Sequence, residues 1–196
     1  IEGWRARATP QAYGTFDAFF RTNARDAGLV LTGCAHTLGV AEDTVAEAIG
    51  LLAPDGDGLG AEFVTRLGQA LNDVSGPYVC FLDDLHGLSE AAARDVGRLI
   101  SAVADQRHRF VVASRVDLPW PVERWRVNGF ADVVTADQLR LTADEIAQLL
   151  RPESAHLAPV AHRVTGGWPA AVEVIRWRLA TSPNLDLDLE TEVRSE

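Results

Sequence analysis

The middle of the chain alternates apolar runs with an amphipathic segment. Residues 78–82 and 110–113 are continuous apolar runs, a pattern typical of strands buried on both faces of a parallel sheet. Between them, residues 89–105 carry apolar side chains at helical spacing. A strand, a crossover helix and a second strand form a βαβ unit, whose two strands are parallel. The pattern therefore predicts an α/β fold.

The segments before this unit are predicted to be mainly helical. Residues 3–8 are predicted as a short strand, and residues 15–28 as a helix with phenylalanines on one side. Residues 41–52 and 63–74 repeat apolar positions at helical spacing. We expect three amphipathic helices ahead of the first buried strand.

After residue 136 the strand pattern stops. Thr142 and Glu145 have the spacing of a capping box that opens a helix through Leu150, and further helices are predicted over residues 157–164 and 168–180. Residues 183–196 alternate leucine with acidic residues, which fits an edge strand or an acidic tail. The expected organisation is an α/β core over residues 1–136, a small helical part over 137–182 and an acidic linker or tail over 183–196.

The composition narrows the class of protein. All 18 basic residues are arginine and the net charge is −10, so direct contact of this chain with nucleic acid is not expected. Because the sequence contains no methionine, we expect a fragment of a longer protein. Cys34 and Cys80 are far apart in sequence and no apolar stretch has the length of a membrane span. These features favour a soluble protein of a reducing cytoplasm with no membrane contact.

The tryptophans raise one alternative to packing in the core. Trp120, Trp125, Trp168 and Trp177 could stack on nucleic-acid bases, but stacking platforms are accompanied by a basic surface. Since this chain is acidic, packing within the fold is the favoured interpretation.

Two adjacent carboxylates follow the first buried strand. Asp83 and Asp84 come directly after the apolar run over residues 78–82. Ligands of open parallel sheets bind outside the carboxyl ends of the strands. Carboxylate oxygens and water suit Mg²⁺, so Asp83 could hold magnesium through water while Asp84 orients or deprotonates an attacking water. The alternative is a strand that simply ends in a polar turn.

An arginine follows the second buried strand. Ser114 and Arg115 come directly after the run over residues 110–113, and a guanidinium matches the paired oxygens of a phosphate. A surface arginine paired with a carboxylate is the alternative. Opposite charges at the ends of two neighbouring strands favour a magnesium–phosphate site.

A glycine–tryptophan–proline sequence lies between the last two predicted helices. Gly167 closes one helix and Pro169 opens the next, with Trp168 between them. By itself this is an ordinary helix junction.

Taken in order, the three segments resemble the STAND family of P-loop ATPase domains, which are AAA-type in character. This family includes the NB-ARC domains and the large LuxR-type, maltose-regulator-like transcriptional activators of bacteria. Asp83 and Asp84 match its Walker B acids, and Ser114 and Arg115 match its sensor arginine motif. The residues that match its glycine, any residue, proline motif are Gly167, Trp168 and Pro169. The resemblance covers most of residues 3–182.

The resemblance implies a role for each matched residue. Asp83 would help to hold Mg²⁺, Asp84 would activate water, and Arg115 would contact the terminal phosphate of ATP or sense its loss in ADP. Gly167, Trp168 and Pro169 would line the nucleotide site, with Pro169 near the adenine. The fold expected from the family is a P-loop NTPase-type parallel core followed by a helical lid, here residues 137–182.

One defining element of that family is missing from this sequence. The Walker A loop needs glycines and a lysine ahead of a serine or threonine, and the chain has no lysine. Either the loop precedes Ile1 in the parent protein, which makes this core incomplete, or the domain is degenerate and never had one. In both cases we expect this chain to bind ATP weakly and to hydrolyse almost none.

The functional hypothesis follows from the resemblance. The parent would be an ATP/ADP-dependent switch of a bacterial transcriptional regulator. The nucleotide state would govern self-association through this domain, communication with effector or sensor domains of the same chain, and DNA binding by domains elsewhere. Two alternatives remain open: a non-catalytic interaction module with the same fold, and a turnover ATPase of the origin-recognition type.

Overall fold

A computed structural model describes residues 11–15, 23–53, 56–103 and 107–181. The strand predicted over residues 3–8 and the tail over 183–196 lie outside these residues. The chain divides into two compact units, Ile1–Ala131 and Asp132–Glu196. This division falls close to the boundary expected after residue 136.

Three parallel strands form the sheet of the first unit. They are β1 (Gln11–Thr15), β2 (Tyr78–Asp83) and β3 (His108–Val112), in the order β1-β2-β3. The structure confirms the α/β class and both strands of the predicted βαβ unit. β3 begins two residues earlier than its apolar run because the ring of His108 is buried and stacks on Tyr78 of β2, with ring centroids 4.2 Å apart. Hydrophobic periodicity does not recognise a histidine as a core residue.

Four longer helices accompany the sheet. They are α1 (Ala24–Thr37), α2 (Glu42–Gly50), α3 (Ala61–Asn72) and α4 (Glu90–Val103). The predicted helix over residues 15–28 is wrong at its start: Thr15 ends β1, and the helix begins at Ala24 and runs to Thr37. Asn23 sets this start, because its side-chain oxygen accepts the backbone N–H of Asp26 at 2.8 Å. Residues 16–22 lie outside the described residues.

The hydrophobic core lies on one face of the sheet. The strand order follows the chain order, and crossovers between neighbouring parallel strands are nearly always right-handed, so successive crossover helices fall on the same side. The core accordingly joins one side of the strands to the helices; its largest fully buried members include Tyr78, Leu82, Phe63, Leu67 and Leu99.

The opposite face of the sheet is covered only in part: Val79 is buried and Phe81 is half-buried, whereas Tyr13 and Val111 are exposed. Tyr13, Phe81 and Val111 are neighbours across the three strands in this register. Tyr13 is 65% exposed and Val111 is 44% exposed. We call this side the open face. Parallel sheets occur almost only with both faces covered, so the exposure of Tyr13 and Val111 among the described residues is unusual.

The rest of the described chain is helical. The short helix α5 (Val122–Val127) belongs to the first unit, and α6 (Ala143–Leu149), α7 (Ala158–Thr165) and α8 (Pro169–Thr181) form the second. The predicted capping box is confirmed: the Thr142 hydroxyl accepts the backbone N–H of Glu145, and the Glu145 carboxylate accepts the backbone N–H of Thr142. The second unit has its own small core, whose buried members are Ile146, Leu150, Ala158, Ala161 and Val172.

Among the described helices, none combines the length and the apolar character needed to cross a membrane.

Candidate functional site

The carboxyl ends of β2 and β3 are held side by side. The backbone N–H of Ala113 donates to the carbonyl of Leu82 at 2.9 Å, and the N–H of Leu85 donates to the carbonyl of Ala113 at 3.1 Å. Asp83 at the end of β2, Asp84 after it and Arg115 shortly after β3 therefore belong to the same edge of the sheet. The structure thus brings together the strand ends that carry Asp83, Asp84 and Arg115, and their assignment to one site stays a prediction.

A strained backbone turn separates the two carboxylates. Asp84 has φ 57° and ψ 34°, and it is the one residue other than glycine with positive φ in the described part of the chain. Residues with a side chain adopt this conformation less readily than glycine does, and aspartate does so more often than most because its short side chain can hydrogen-bond locally. Two hydrogen bonds hold the turn. The backbone N–H of Asp84 donates to the side-chain Oδ1 of Asp83 at 2.8 Å, and the N–H of Gly87 donates to the Asp84 carbonyl at 2.9 Å. Strain of this kind is concentrated at functional sites.

Tyr13 is a site residue that the sequence did not reveal. Its hydroxyl donates to Asp83 Oδ2 at 2.9 Å across two neighbouring strands. The hydrogen bond to Asp83 raises the pKa of Tyr13 above its ordinary value of 10.0, with smaller contributions from desolvation and from the negative charges of Asp83 and Asp84. No spacing in the sequence links residue 13 to residue 83, since only the pairing of β1 with β2 brings them together.

His86 lies beside the second carboxylate. Its Nδ1 is 3.8 Å from Asp84 Oδ1, which is close enough for an ion pair but too long for a hydrogen bond. Both ring nitrogens are buried, and neither has a hydrogen-bond partner among the described residues. His86 therefore lies next to Asp84 with no hydrogen bond between the two side chains.

Arg115 follows β3 and is exposed. The preceding Ser114 hydroxyl closes a local turn by donating to the carbonyl of Val116 at 2.7 Å. Within the described part of the chain, no hydrogen bond or ion pair engages the Arg115 guanidinium. A solvent-facing guanidinium without an internal partner can bind an anion.

The three remaining predicted site residues belong to the second unit. Gly167 has φ 73°, and a Cβ at this position would lie 2.3 Å from the carbonyl oxygen of Leu141. The carbonyl of Gly167 accepts the N–H of Leu141 at 2.8 Å. Pro169 begins α8, and Trp168 is exposed. Packing of the helix junction alone therefore requires glycine at position 167.

The donor set at the sheet edge suits a hard, hydrated cation. Among the described residues, no three histidine, cysteine, aspartate or glutamate side chains converge on one point, so the edge offers a carboxylate pair. Mg²⁺ is commonly bound by one or two carboxylates and keeps several waters. Asp83 and Asp84 fit that requirement, because each retains oxygen lone pairs beyond its internal contacts.

Comparison of the sequence with models of known protein families gives no match, and comparison with curated proteins gives none either.

Proposed function

We propose that this chain is the larger part of a nucleotide-dependent switch domain: an incomplete P-loop-type core followed by a small helical lid. The parent would be a STAND-type bacterial transcriptional regulator acting in the cytoplasm. The observation that carries the proposal is that the carboxyl end of β2, with Asp83 and Asp84, and that of β3, followed by Arg115, are neighbours at one edge of a parallel sheet. Carboxylates and a guanidinium at this edge match the two charges of a magnesium–phosphate group.

The open face supports the incompleteness of the core. The three strands lie side by side in the order in which they occur in the chain. The crossover helices among the described residues therefore lie on one side of the sheet. In a doubly wound sheet, the ligand crevice forms where the strand order reverses and later helices cover the second face. A further strand beside β3, with its helix on the open face, would create that reversal next to Arg115. A segment preceding Ile1 that contains a Walker A loop would supply both.

The residues of this chain would then have distinct tasks. Asp83 would hold hydrated Mg²⁺, which would neutralise phosphate charge when bound. Asp84 would accept a hydrogen bond from the attacking water. Arg115 would bind the terminal phosphate, which is the group that distinguishes ATP from ADP. Since a ligand shifts a two-state protein only through unequal affinity for the two states, Arg115 is the residue best suited to make the switch.

The lid would respond through the helix junction. Gly167, Trp168 and Pro169 would line the adenine side of the nucleotide site, so that ATP and ADP would favour different arrangements of core and lid. This difference in arrangement would change the contacts of this domain with effector domains of the same chain and its self-association. DNA contact would be made by other domains, because this chain has a net charge of −10.

The first test is nucleotide binding by two versions of the protein. The 196-residue chain should bind ATP weakly with or without Mg²⁺. The chain extended upstream to include a G-x-x-x-x-G-K-[ST] sequence should bind ATP tightly in the presence of Mg²⁺. Tight, magnesium-dependent binding by the 196 residues alone would contradict the missing loop.

Substitutions test the assigned residues. In the extended protein, Asp83→Ala should remove the magnesium dependence of ATP binding, and Arg115→Ala should reduce the preference for ATP over ADP. Asp73→Ala, which alters an exposed carboxylate at the end of α3, is the matched control. The switch itself fails if exchanging ATP for ADP changes neither the assembly nor the DNA affinity of the full regulator.

One observation favours a second candidate, a non-catalytic interaction module with this fold. Asp83 is already engaged by Tyr13 and by the backbone of Asp84, as a purely structural carboxylate would be. Replacing Asp83, Asp84 and Arg115 together while the regulator keeps its activity would favour this candidate.

A further inference from the structure

A groove on the first unit is not used by the proposed nucleotide site. It lies between α4 and the segment around α5, and its volume is about 490 Å³. One wall consists of Pro119, Trp120, Pro121 and Trp125, and the other wall carries two arginines of α4, Arg94 and Arg98. The volume is within the range of ligand sites in proteins, roughly 300–1,000 Å³.

The apolar wall is preformed. The indole N–H of Trp120 donates to the carbonyl of Ala93 at 2.6 Å, and its ring packs against Gly97, where a Cβ would lie 2.5 Å away. The ring of Trp125 is 5.8 Å from that of Trp120 at an angle of 44°. A fixed aromatic wall binds apolar side chains with little ordering cost.

The two arginines can exchange their present partners. Arg94 pairs with Glu90, and Arg98 pairs with Asp95, each at 3.0 Å. Arg94 and Glu90 are both exposed, and such an ion pair contributes little to stability. Asp95 is buried, but it also accepts the backbone N–H groups of Leu59 and Gly60, so it keeps hydrogen-bond partners when the exposed Arg98 turns to a bound molecule. Both guanidiniums are therefore available to carboxylates of a bound molecule.

The spacing of the arginines indicates the form of that molecule. Four residues apart on one helix, they are separated by about 6 Å along the helix axis. Alternate side chains of an extended peptide are about 6.6 Å apart and point to the same side. The intervening side chains point to the other side, which here is the tryptophan and proline wall.

We propose that this groove binds an extended acidic peptide of a partner protein, in which leucine alternates with aspartate or glutamate. The acidic side chains pair with Arg94 and Arg98, and the leucines pack on Trp120 and Trp125. This site is independent of the proposed nucleotide function. Because the chain has a net charge of −10, the rest of its surface repels an acidic peptide. Binding of such a peptide is therefore selective for this groove.

The test uses fluorescence anisotropy of a short labelled peptide of alternating leucine and aspartate, added to the full chain. We expect saturable binding that weakens with salt, and at least tenfold weaker binding of two control peptides, alternating serine–aspartate and leucine–arginine. Absence of binding, or equal binding of either control peptide, overturns the proposal.

Variants locate the binding. Arg94→Gln with Arg98→Gln should weaken binding at least tenfold, whereas Arg176→Gln, which breaks an equivalent surface pair of α8, should leave it unchanged. The indole N–H resonances of Trp120 and Trp125 should shift on binding in the unaltered chain. Equal affinity of the double variant, or no shift of these resonances, overturns the proposal. If the labelled peptide binds more tightly after Leu185, Leu187 and Leu189 are replaced by serine, these residues of the same chain compete with it for the groove. That result overturns the proposal that a partner protein occupies the groove.

Discussion

The hydrogen bond between Tyr13 and Asp83 makes the state of the first carboxylate measurable. Asp83→Ala removes the acceptor and the nearest negative charge, both of which raise the pKa of Tyr13. We expect the pKa of Tyr13 to fall towards 10.0 in this variant. The absorbance of tyrosinate measures it, because the sequence has two tyrosines and the other, Tyr78, is fully buried.

The raised pKa of Tyr13 determines how the stability of the fold changes with pH. Since the folded state holds the Tyr13 proton more tightly than the unfolded chain does, the contribution to stability is present below pH about 10 and is lost as the pH rises through the folded-state pKa. Tyr13→Phe identifies the signal, and Asp73→Ala should leave it unchanged. An unaltered Tyr13 titration in Asp83→Ala would contradict the hydrogen bond.

Gly167 tests how far packing, rather than nucleotide binding, explains the glycine–tryptophan–proline sequence. Gly167→Ala should destabilise the second unit by the roughly 1–2 kcal/mol of a left-handed alanine plus about 1–3 kcal/mol of overcrowding. The overcrowding arises because the new Cβ would lie 2.3 Å from a backbone oxygen. Thermal or urea unfolding followed by circular dichroism measures both terms together.

Gly166→Ala is the matched control in the same turn. Gly166 has φ 59°, but a Cβ there meets only the flexible end of Arg140 at 3.1 Å. We expect this variant to lose only the backbone term. Equal destabilisation of the two variants would show that the contact with Leu141 has no energetic weight.

At the scale of elements, glycines decide how closely segments approach α4 and α1. Gly97 lets the ring of Trp120 lie against α4, and Gly28 of α1 faces Leu52, whose side chain would be 2.4 Å from a Cβ. Glycine inside a helix costs about 0.5–1 kcal/mol of stability relative to alanine. At these two positions that cost permits the close approach of Trp120 and Leu52 to the helices.

Gly97→Ala should therefore destabilise the first unit. Crowding against the rigid Trp120 ring costs about 1–3 kcal/mol, which exceeds the helix gain of about 1 kcal/mol. Gly33→Ala in α1, where nothing lies within 4 Å, should stabilise the chain by about 0.5–1 kcal/mol. Urea unfolding compares the two variants. A stabilising Gly97→Ala would mean that Trp120 is not held against α4.

At the scale of the whole molecule, the open face determines what a substitution costs. In the 196-residue chain, Val111→Glu should change the stability by no more than about 0.5 kcal/mol, whereas Leu82→Ala on the core face should cost about 2–5 kcal/mol. In the extended chain, a buried glutamate at position 111 should cost several kcal/mol, because a charge leaves water.

Urea unfolding of both chain lengths provides the measurement. Val116→Glu, at an exposed loop position, controls for the added charge and should be small in both. If Val111→Glu remains harmless in the extended chain, the open face is not covered by the upstream segment and the incomplete-core interpretation loses its main support.

Local sequence patterns were sufficient to define the elements whose residues interact with near neighbours. The apolar runs defined β2 and most of β3, helical spacing defined α2, α3 and α4, and Thr142 with Glu145 defined the start of α6. They also placed Asp83, Asp84 and Arg115 at the ends of strands. Each of these features depends on periodicity or on capping within a few residues, and that information is present in any short segment.

The contacts between distant segments could not be derived from the sequence and became visible in the folded chain. It showed that Thr15 ends a strand instead of opening a helix, that Tyr13 binds Asp83, and that Trp120 rests on Gly97. These contacts depend on which strands pair, in which register, and on how close two elements can come. Because these contacts join residues that are far apart in the chain, they cannot be predicted from a local pattern of apolar and polar positions.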